Sequence, residues 1–137
     1  MSNETEILKK CHTIAVVGLS PDPDRPSHSV ARYLKRAGYR IIPVNPAVKE
    51  VLGEVCYAHL SDIPEPVDVV DVFRRSSEVK PVVEAAIKIK AKAVWLQEGG
   101  IDEAAAKKAR EAGLQVVMDR CMAKEHFSLL HASGLNP

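Results

Sequence analysis

No apolar run in this sequence approaches the roughly 20 residues that a bilayer-spanning helix needs. The opening stretch, MSNETEILKKCH, also lacks the apolar core of a secretory signal. Both absences lead to the expectation of a cytoplasmic protein without a membrane partner. Charge of one sign is missing too. The formal net charge is +1, with lysines and arginines spread along the chain, so there is no basic stripe to form a nucleic-acid groove. Cysteine is sparse: Cys11, Cys56 and Cys121 are odd in number and far apart, which fits reduced thiols better than a disulfide framework. Cys56 and His59 have a spacing used for metal, but no second pair accompanies them, and no metal site is expected. No internal repeat or low-complexity segment is visible.

What is present is an alternation. The chain has 137 residues, 46% apolar and 27% charged, which suits one domain over residues 1–137 with a core from about 12 to 131. TIAVVG (13–18) is a buried strand ending in glycine. SHSVARYLKRAG (27–38) places Val30, Ala31, Leu34 and Ala37 at helical spacing, with Gly38 as its stop. YRIIPVNP (39–46) is a second strand, although Pro43 lacks an amide donor. EVCY (54–57) gives a short third strand and VDVVDVF (67–73) a fourth. A helix over 76–91, a strand over 92–97, a helix over 102–113 capped by Asp102, a strand over 115–119 and a closing helix over 122–131 follow. The tail ASGLNP carries no readable signal. Strands alternating with helices imply an α/β fold, a doubly wound parallel sheet. The expected strand order is 3-2-1-4-5-6, with a crevice at the carboxyl ends of the strands.

That crevice would be lined by whatever ends each strand. Gly18, Leu19 and Ser20 follow the first, and Arg25 lies on the same long loop. Asn45, Pro46 and Lys49 follow the second; Arg74, Arg75 and Ser76 the fourth; Gln97, Glu98, Gly99 and Gly100 the fifth; Asp119, Arg120 and Cys121 the sixth. Arginine is therefore concentrated at strand ends of a nearly neutral chain, which points to an anionic ligand. The plainer reading has these arginines solvated, or paired with Asp22, Asp24 and Asp119. The segment VVGLSPDPDRPSHSV lacks the second and third glycines of a dinucleotide fingerprint. Gly18 still permits a tight turn, Ser20 offers a hydroxyl, and a helix starting near Pro26–Ser27 directs amides and a positive dipole end to the same place.

The second strand ends in Asn45 rather than an acid, and Lys49 follows. A neutral or positive end tolerates a phosphate on the ribose, so NADP or the 3′-phosphorylated ADP of coenzyme A is favoured over NAD. Asn45-Pro46 is also a good turn signal. Asp68 and Asp71 lie three residues apart on one strand and face opposite sides, so they do not form an acid pair and read as structural. Trp95 and Phe73 read as core, with Phe73 the nearer to the crevice. His28, His59 and His126 show no spacing that supports general-base chemistry. Cys121 sits at a helix start beside Arg120, where a thiol pKa is lowered; a small residue packed at a strand–helix junction is the plainer reading.

Taken together, IAVVGLSPDPDRPSHSVARYLKRAGYRIIPVNP, VDVVDVFR, VWLQEG and GLQVVMDRC resemble the stand-alone CoA-binding proteins of bacteria and archaea over about residues 5–131. Their fold is similar to the CoA-binding domain of the succinyl-CoA synthetase α subunit. The resemblance implies a Rossmann-like single domain with coenzyme A, or an acyl-CoA, in its crevice. Gly18, Leu19, Ser20, Arg25 and Ser27 would hold the pyrophosphate. Asn45, Pro46 and Lys49 would face the adenosine and its 3′-phosphate, and Val72, Phe73 and Arg74 would line the nucleotide. Gln97, Gly99 and Cys121 would lie towards the pantetheine. The synthetase carries its phosphorylated histidine and ligase chemistry on a further domain, for which these 137 residues leave no room. The expectation is a carrier, sensor or regulatory protein that binds its ligand without catalysis, acting with a protein partner or as a homodimer. The alternatives are an NADP-linked oxidoreductase and an interaction module that has lost its ligand.

Overall fold

The valine-rich runs pair side by side because each is apolar on both faces and needs cover above and below. The computed structural model describes residues 3–132. Along them run α1 (Asn3–Lys10), β1 (Thr13–Val17), α2 (Pro26–Arg36), β2 (Arg40–Val44), β3 (Glu50–Val51), β4 (Glu54–Val55), β5 (Val69–Val72), α3 (Val79–Lys88), β6 (Ala93–Leu96), α4 (Glu103–Glu111), β7 (Gln115–Val117) and α5 (Met122–Ala132). β1, β2, β5, β6 and β7 form one parallel sheet in the order β2-β1-β5-β6-β7. Ile14 pairs with Ile41 on one side and Val69 on the other, and Val70 continues to Val94. This is a Rossmann-like doubly wound sheet.

Alternate strand residues feed two cores. Val70, Val72, Val94 and Leu96 pack with Val83 and Ala86 of α3 and with Ala105, Ala106 and Ala109 of α4. Ile14, Val16, Val69 and Trp95 pack on the other face with Ile7 of α1, Ala31 and Leu34 of α2, and Met122 of α5. Each large apolar side chain buried this way contributes about 1.5–3 kcal/mol. Asp102 caps α4 as expected, its carboxylate accepting the Ala105 amide at 3.0 Å, a contact worth about 1 kcal/mol. α1 is an addition to the sequence reading; it buries Ile7 and Leu8.

The third strand differs from expectation. Residues 54–57 do not extend the main sheet. Glu54–Val55 folds back antiparallel on Glu50–Val51, because Leu52 (φ 54°) and Gly53 (φ 75°) both adopt left-handed conformations and close a tight hairpin. Of these residues Tyr57 pairs its backbone with β2, in a single parallel bridge to Val44. The order 3-2-1-4-5-6 thus reduces to five strands, with β2 at the edge. That placement explains Pro43. Its carbonyl accepts from Tyr57 N at 3.0 Å on the outer side. The missing amide would have faced the same way, so no bond between β2 and β1 is lost.

Candidate functional site

The carboxyl ends of β1, β5 and β6 open into a crevice of about 960 Å³, near the upper limit for small-molecule sites. Its walls come from the loop after β1 (Gly18, Ser20, Arg25), the start of α2 (Ser27, Val30), the end of β5 and the loop beyond (Phe73, Arg74, Arg75), and the β6 end (Gln97, Gly99), with Cys121 at the head of α5. A smaller hollow of about 250 Å³ adjoins it over the end of β2, lined by Val44, Pro46, His59 and Val82; Arg74 borders both.

Gly18 (φ 86°) stands where a side chain cannot. A Cβ built on it would collide with the carbonyl oxygen of Phe73. The same two strand ends are tied by Phe73 N to Val17 O, and Gly18 N bonds Val44 O, both at 2.9 Å. The glycine is thus required by the close approach of β1, β2 and β5 as well as by any ligand. Beyond it the loop satisfies several of its own amides. Ser20 N donates to Ser27 Oγ (3.0 Å), Asp22 N to Ser20 Oγ (3.0 Å) and Asp24 N to Asp22 Oδ1 (2.9 Å). His28 Nδ1 donates to Ser20 O at 2.9 Å. Those three amides are held within the loop itself, and beside the start of α2 the loop offers the hydroxyl protons of Ser20 and Ser27 and the Arg25 side chain, which makes no capping bond to α2.

The arginines are not neutralised by the acids suspected of it. Asp22 and Asp119 accept backbone amides, those of Asp24 and Gly99. Among the described residues no carboxylate lies within ion-pair distance of Arg25, Arg74 or Arg75. Arg120 instead reaches Glu125 at 3.9 Å, outside the crevice. Ser76 ties the two far loops together: its hydroxyl donates to Gly99 O and accepts from Ile101 N, both at 3.1 Å. At the crevice floor Gln97 Nε2 donates to Oδ1 of the fully buried Asp71. Burial pushes the Asp71 carboxyl up to about 7, and the Gln97 bond opposes this only in part.

The sequence profile of the CoA binding domain matches residues 12–127. The chain belongs to that family. Protein YneT of Bacillus subtilis, described as uncharacterized, is 44% identical over 121 residues, covering 88% of this chain and 90% of its own. The structure of a hypothetical protein from Pyrococcus horikoshii superposes with a TM-score of 0.91 at 45% identity, covering 95% of this chain and 93% of that one. The dinucleotide-forming acetyl-coenzyme A synthetase 1 of Ca. Korarchaeum cryptofilum, solved with phosphate and ADP, superposes at 0.72 and 30% identity. There the match spans 84% of this chain but 27% of the synthetase. The chain is thus homologous to the CoA-binding domains of such synthetases.

Within this CoA-binding-domain fold, the structure gathers Gly18, Ser20, Arg25, Ser27, Val72, Phe73, Arg74, Gln97, Gly99 and Cys121 on one crevice. Four expected residues stand elsewhere. Leu19 is fully buried and its side chain belongs to the core. Asn45 spends its side chain on the backbone: Nδ2 donates to Leu19 O (3.0 Å) and Oδ1 accepts from Ala47 N (2.9 Å). It stitches the β2 turn to the β1 loop and leaves little for a ribose. Pro46 borders the smaller hollow. Lys49 is exposed and lines neither space. Val30, Arg75, Glu78 and Glu98 line the crevice in addition. Arg75 and Glu98 were visible at strand ends, whereas Glu78 arrives on a 3-10 turn (Ser76–Glu78) that no pattern announces. His126 is no base for this site; it bonds Tyr33 Oη at 2.9 Å, and burial lowers its pKa. Trp95 is core as expected, its Nε1 donating to Arg120 O at 3.0 Å.

Proposed function

We propose that this chain binds coenzyme A or an acyl-CoA along the carboxyl edge of its sheet and serves as a carrier, sensor or regulatory module without catalysis of its own. The observation that carries the reading is the set of crevice arginines, Arg25, Arg74 and Arg75, without carboxylate partners among the described residues. The residues fit a polyphosphorylated, elongated ligand. Guanidinium groups supply multiple donors for phosphate oxygens, Ser20 and Ser27 add hydroxyls, and the crevice has the volume for a long molecule. Arg74, shared by the two spaces, would bridge the adenosine side, over the hollow beside Pro46, and the phosphates. Gln97, Gly99 and Cys121 would border the pantetheine.

A thermal-shift comparison of coenzyme A, NADP, NAD and ATP tests the reading. A ligand about 100-fold above its Kd stabilises by about 2.7 kcal/mol, which moves the midpoint of a domain this size by roughly 10 °C. The expected result is such a shift with coenzyme A and a clearly smaller one with the others. Stabilisation by NADP without stabilisation by coenzyme A would replace this reading with an NADP-linked one.

A further inference from the structure

Asp71 is completely buried on β5 between Val16 of β1 and Trp95 of β6. Its Oδ1 takes one hydrogen bond, from Gln97 Nε2. Its Oδ2 is sealed without a partner, uniquely among buried side-chain nitrogen and oxygen atoms of the described residues. Gln97 lines the crevice. Its Oε1 accepts no hydrogen bond from the described residues and is not sealed from solvent, so it meets the open space. A primary amide thus stands between a hidden carboxyl and the ligand crevice, with a donor at one end and an acceptor at the other.

We infer that Asp71 sets which end of the Gln97 amide the crevice presents, and so whether this part of the site accepts or donates a hydrogen bond to its ligand. Asp71 is here a positioning residue, and only the identity of the ligand rests on the coenzyme A reading. An ionised carboxylate can only accept. It holds the Gln97 amide nitrogen and leaves Oε1 facing out, which is the arrangement observed. A protonated carboxyl carries an O–H that donates to Oε1 once the amide has turned by half a revolution, and the NH2 group then faces the crevice. One proton passes between Asp71 and solvent, and no other covalent bond changes.

The surroundings favour such a proton exchange near neutral pH. An ionised Asp71 leaves a charged oxygen buried without a partner, which is costly, and burial raises its pKa to about 7. No neighbouring charge contributes to that shift. β1 and β6 carry no titratable side chain. Around the crevice, Glu98 pairs with Lys124 at 3.2 Å and Glu125 of α5 with Arg120. His126 of α5 is bonded to Tyr33, and His28 of α2 to Ser20 O. On α1, Glu6 pairs with Lys10. Arg25, Arg74, Arg75 and Glu78 are exposed on the crevice wall, while the Cys121 thiol is buried on it.

The outward carbonyl suits the S–H donor of a free pantetheine thiol; the outward NH2 suits the carbonyl of a thioester. The device would therefore shift preference between free coenzyme A and acetyl-CoA with pH. In the ligand-free protein, the Asp71 carboxyl carbon and the Gln97 side-chain NH2 signals should titrate together in NMR, and Asp71→Asn should abolish the Gln97 titration. By calorimetry, the ratio of coenzyme A to acetyl-CoA affinity should rise about threefold to tenfold from about pH 6 to about pH 8 in the native chain, the effect of one hydrogen bond, and stay flat in Asp71→Asn. Taking the ratio cancels ionisation of the phosphates common to both ligands. A Gln97 amide that ignores the Asp71 titration, an Asp71 that stays ionised down to about pH 5, or a flat ratio in the native chain with both ligands bound would overturn the inference. Coupled titration without binding of either ligand would support the amide switch and overturn the coenzyme A reading instead.

Discussion

At the amino end of the sheet Asp68 accepts the amides of His12 (2.8 Å) and Thr13 (3.0 Å) and pairs with Lys92 at 3.2 Å, while Arg40 lies between Glu54 and Glu65. At the carboxyl end Arg25, Arg74 and Arg75 face open space, and Asp71 keeps one oxygen without a partner. Both ends belong to the same parallel sheet and are built from the same residue types. One end spends its polar groups on the fold. The other leaves three arginines and one Asp71 oxygen unspent, and an unspent guanidinium stabilises nothing until something binds there. The contrast separates residues that hold the protein together from residues that wait for a ligand, and it can be broken at several points.

The largest effect is expected at a residue on the carboxyl side that nonetheless serves the fold. Gly18→Ala puts a β-carbon at φ 86° against the backbone carbonyl of Phe73, where neither partner can give way without moving β1 or β5. A loss of about 3 kcal/mol or more is expected in urea denaturation, combining left-handed strain with a backbone clash. Loss of ligand binding in this variant would then report the damaged sheet rather than a missing contact. Near-native stability would show that the Phe73 carbonyl is free to move and that the bend belongs to the ligand site alone.

Asp68, just before β5, and Asp71, within it, sharpen the comparison with opposite signs. Burial by itself would raise the Asp68 carboxyl, but the Thr13 and His12 amides and Lys92 outweigh it, and the net shift is downward. A carboxyl lowered on folding adds stability above its unfolded pKa and loses it as pH falls through the folded value. Asp71 is raised by burial to about 7. Its protonated form is the one the fold favours, so its contribution is complete below about pH 4 and is lost as pH rises through about 7. Asp68→Asn should therefore cost about 1–2 kcal/mol at neutral pH and little in strong acid. Asp71→Asn should stabilise the protein by on the order of 1–3 kcal/mol at about pH 8 and change little near pH 4. Denaturant midpoints at these pH values decide the matter; the same sign for both variants would dissolve the distinction between the two ends.

The apolar runs that became β1, β5, β6 and β7 were readable because strands covered on both faces leave continuous Val, Ile and Leu. α1 was not, since eight residues that bury only Ile7 and Leu8 leave too short a stripe to show helical period. The hairpin at 50–55 turns on a left-handed Leu52, a residue that never advertises such a turn. In the site, strand ends identified the loops but not the directions of side chains. Leu19 turned inward and Asn45 was claimed by Leu19 O and Ala47 N, two outcomes that depend on how neighbouring loops meet. Asp71 was readable in hindsight: its neighbours on the same sheet face are Val69, Val16 and Trp95, so an acid there had no water to turn to.

The smallest change in stability, and the most direct test of the waiting charges, comes from exchanging arginines between the two ends. Arg74→Ala and Arg25→Ala remove side chains that pair with no carboxylate among the described residues, so stability should stay within about 0.5 kcal/mol. Coenzyme A affinity should fall about tenfold for each, equivalent to about 1.4 kcal/mol, and its salt dependence should weaken as phosphate contacts are lost. Arg40→Ala does the reverse. It breaks the contacts to Glu54 and Glu65 at 2.9 and 3.1 Å, which lie partly in solvent and are worth less than about 1 kcal/mol after screening, and it leaves the crevice untouched. Calorimetry at low and high salt beside urea midpoints gives each arginine two coordinates. Arg40 should move along stability and Arg74 along affinity; an Arg74 variant that loses stability but keeps its affinity would mean that the crevice arginines belong to the fold after all.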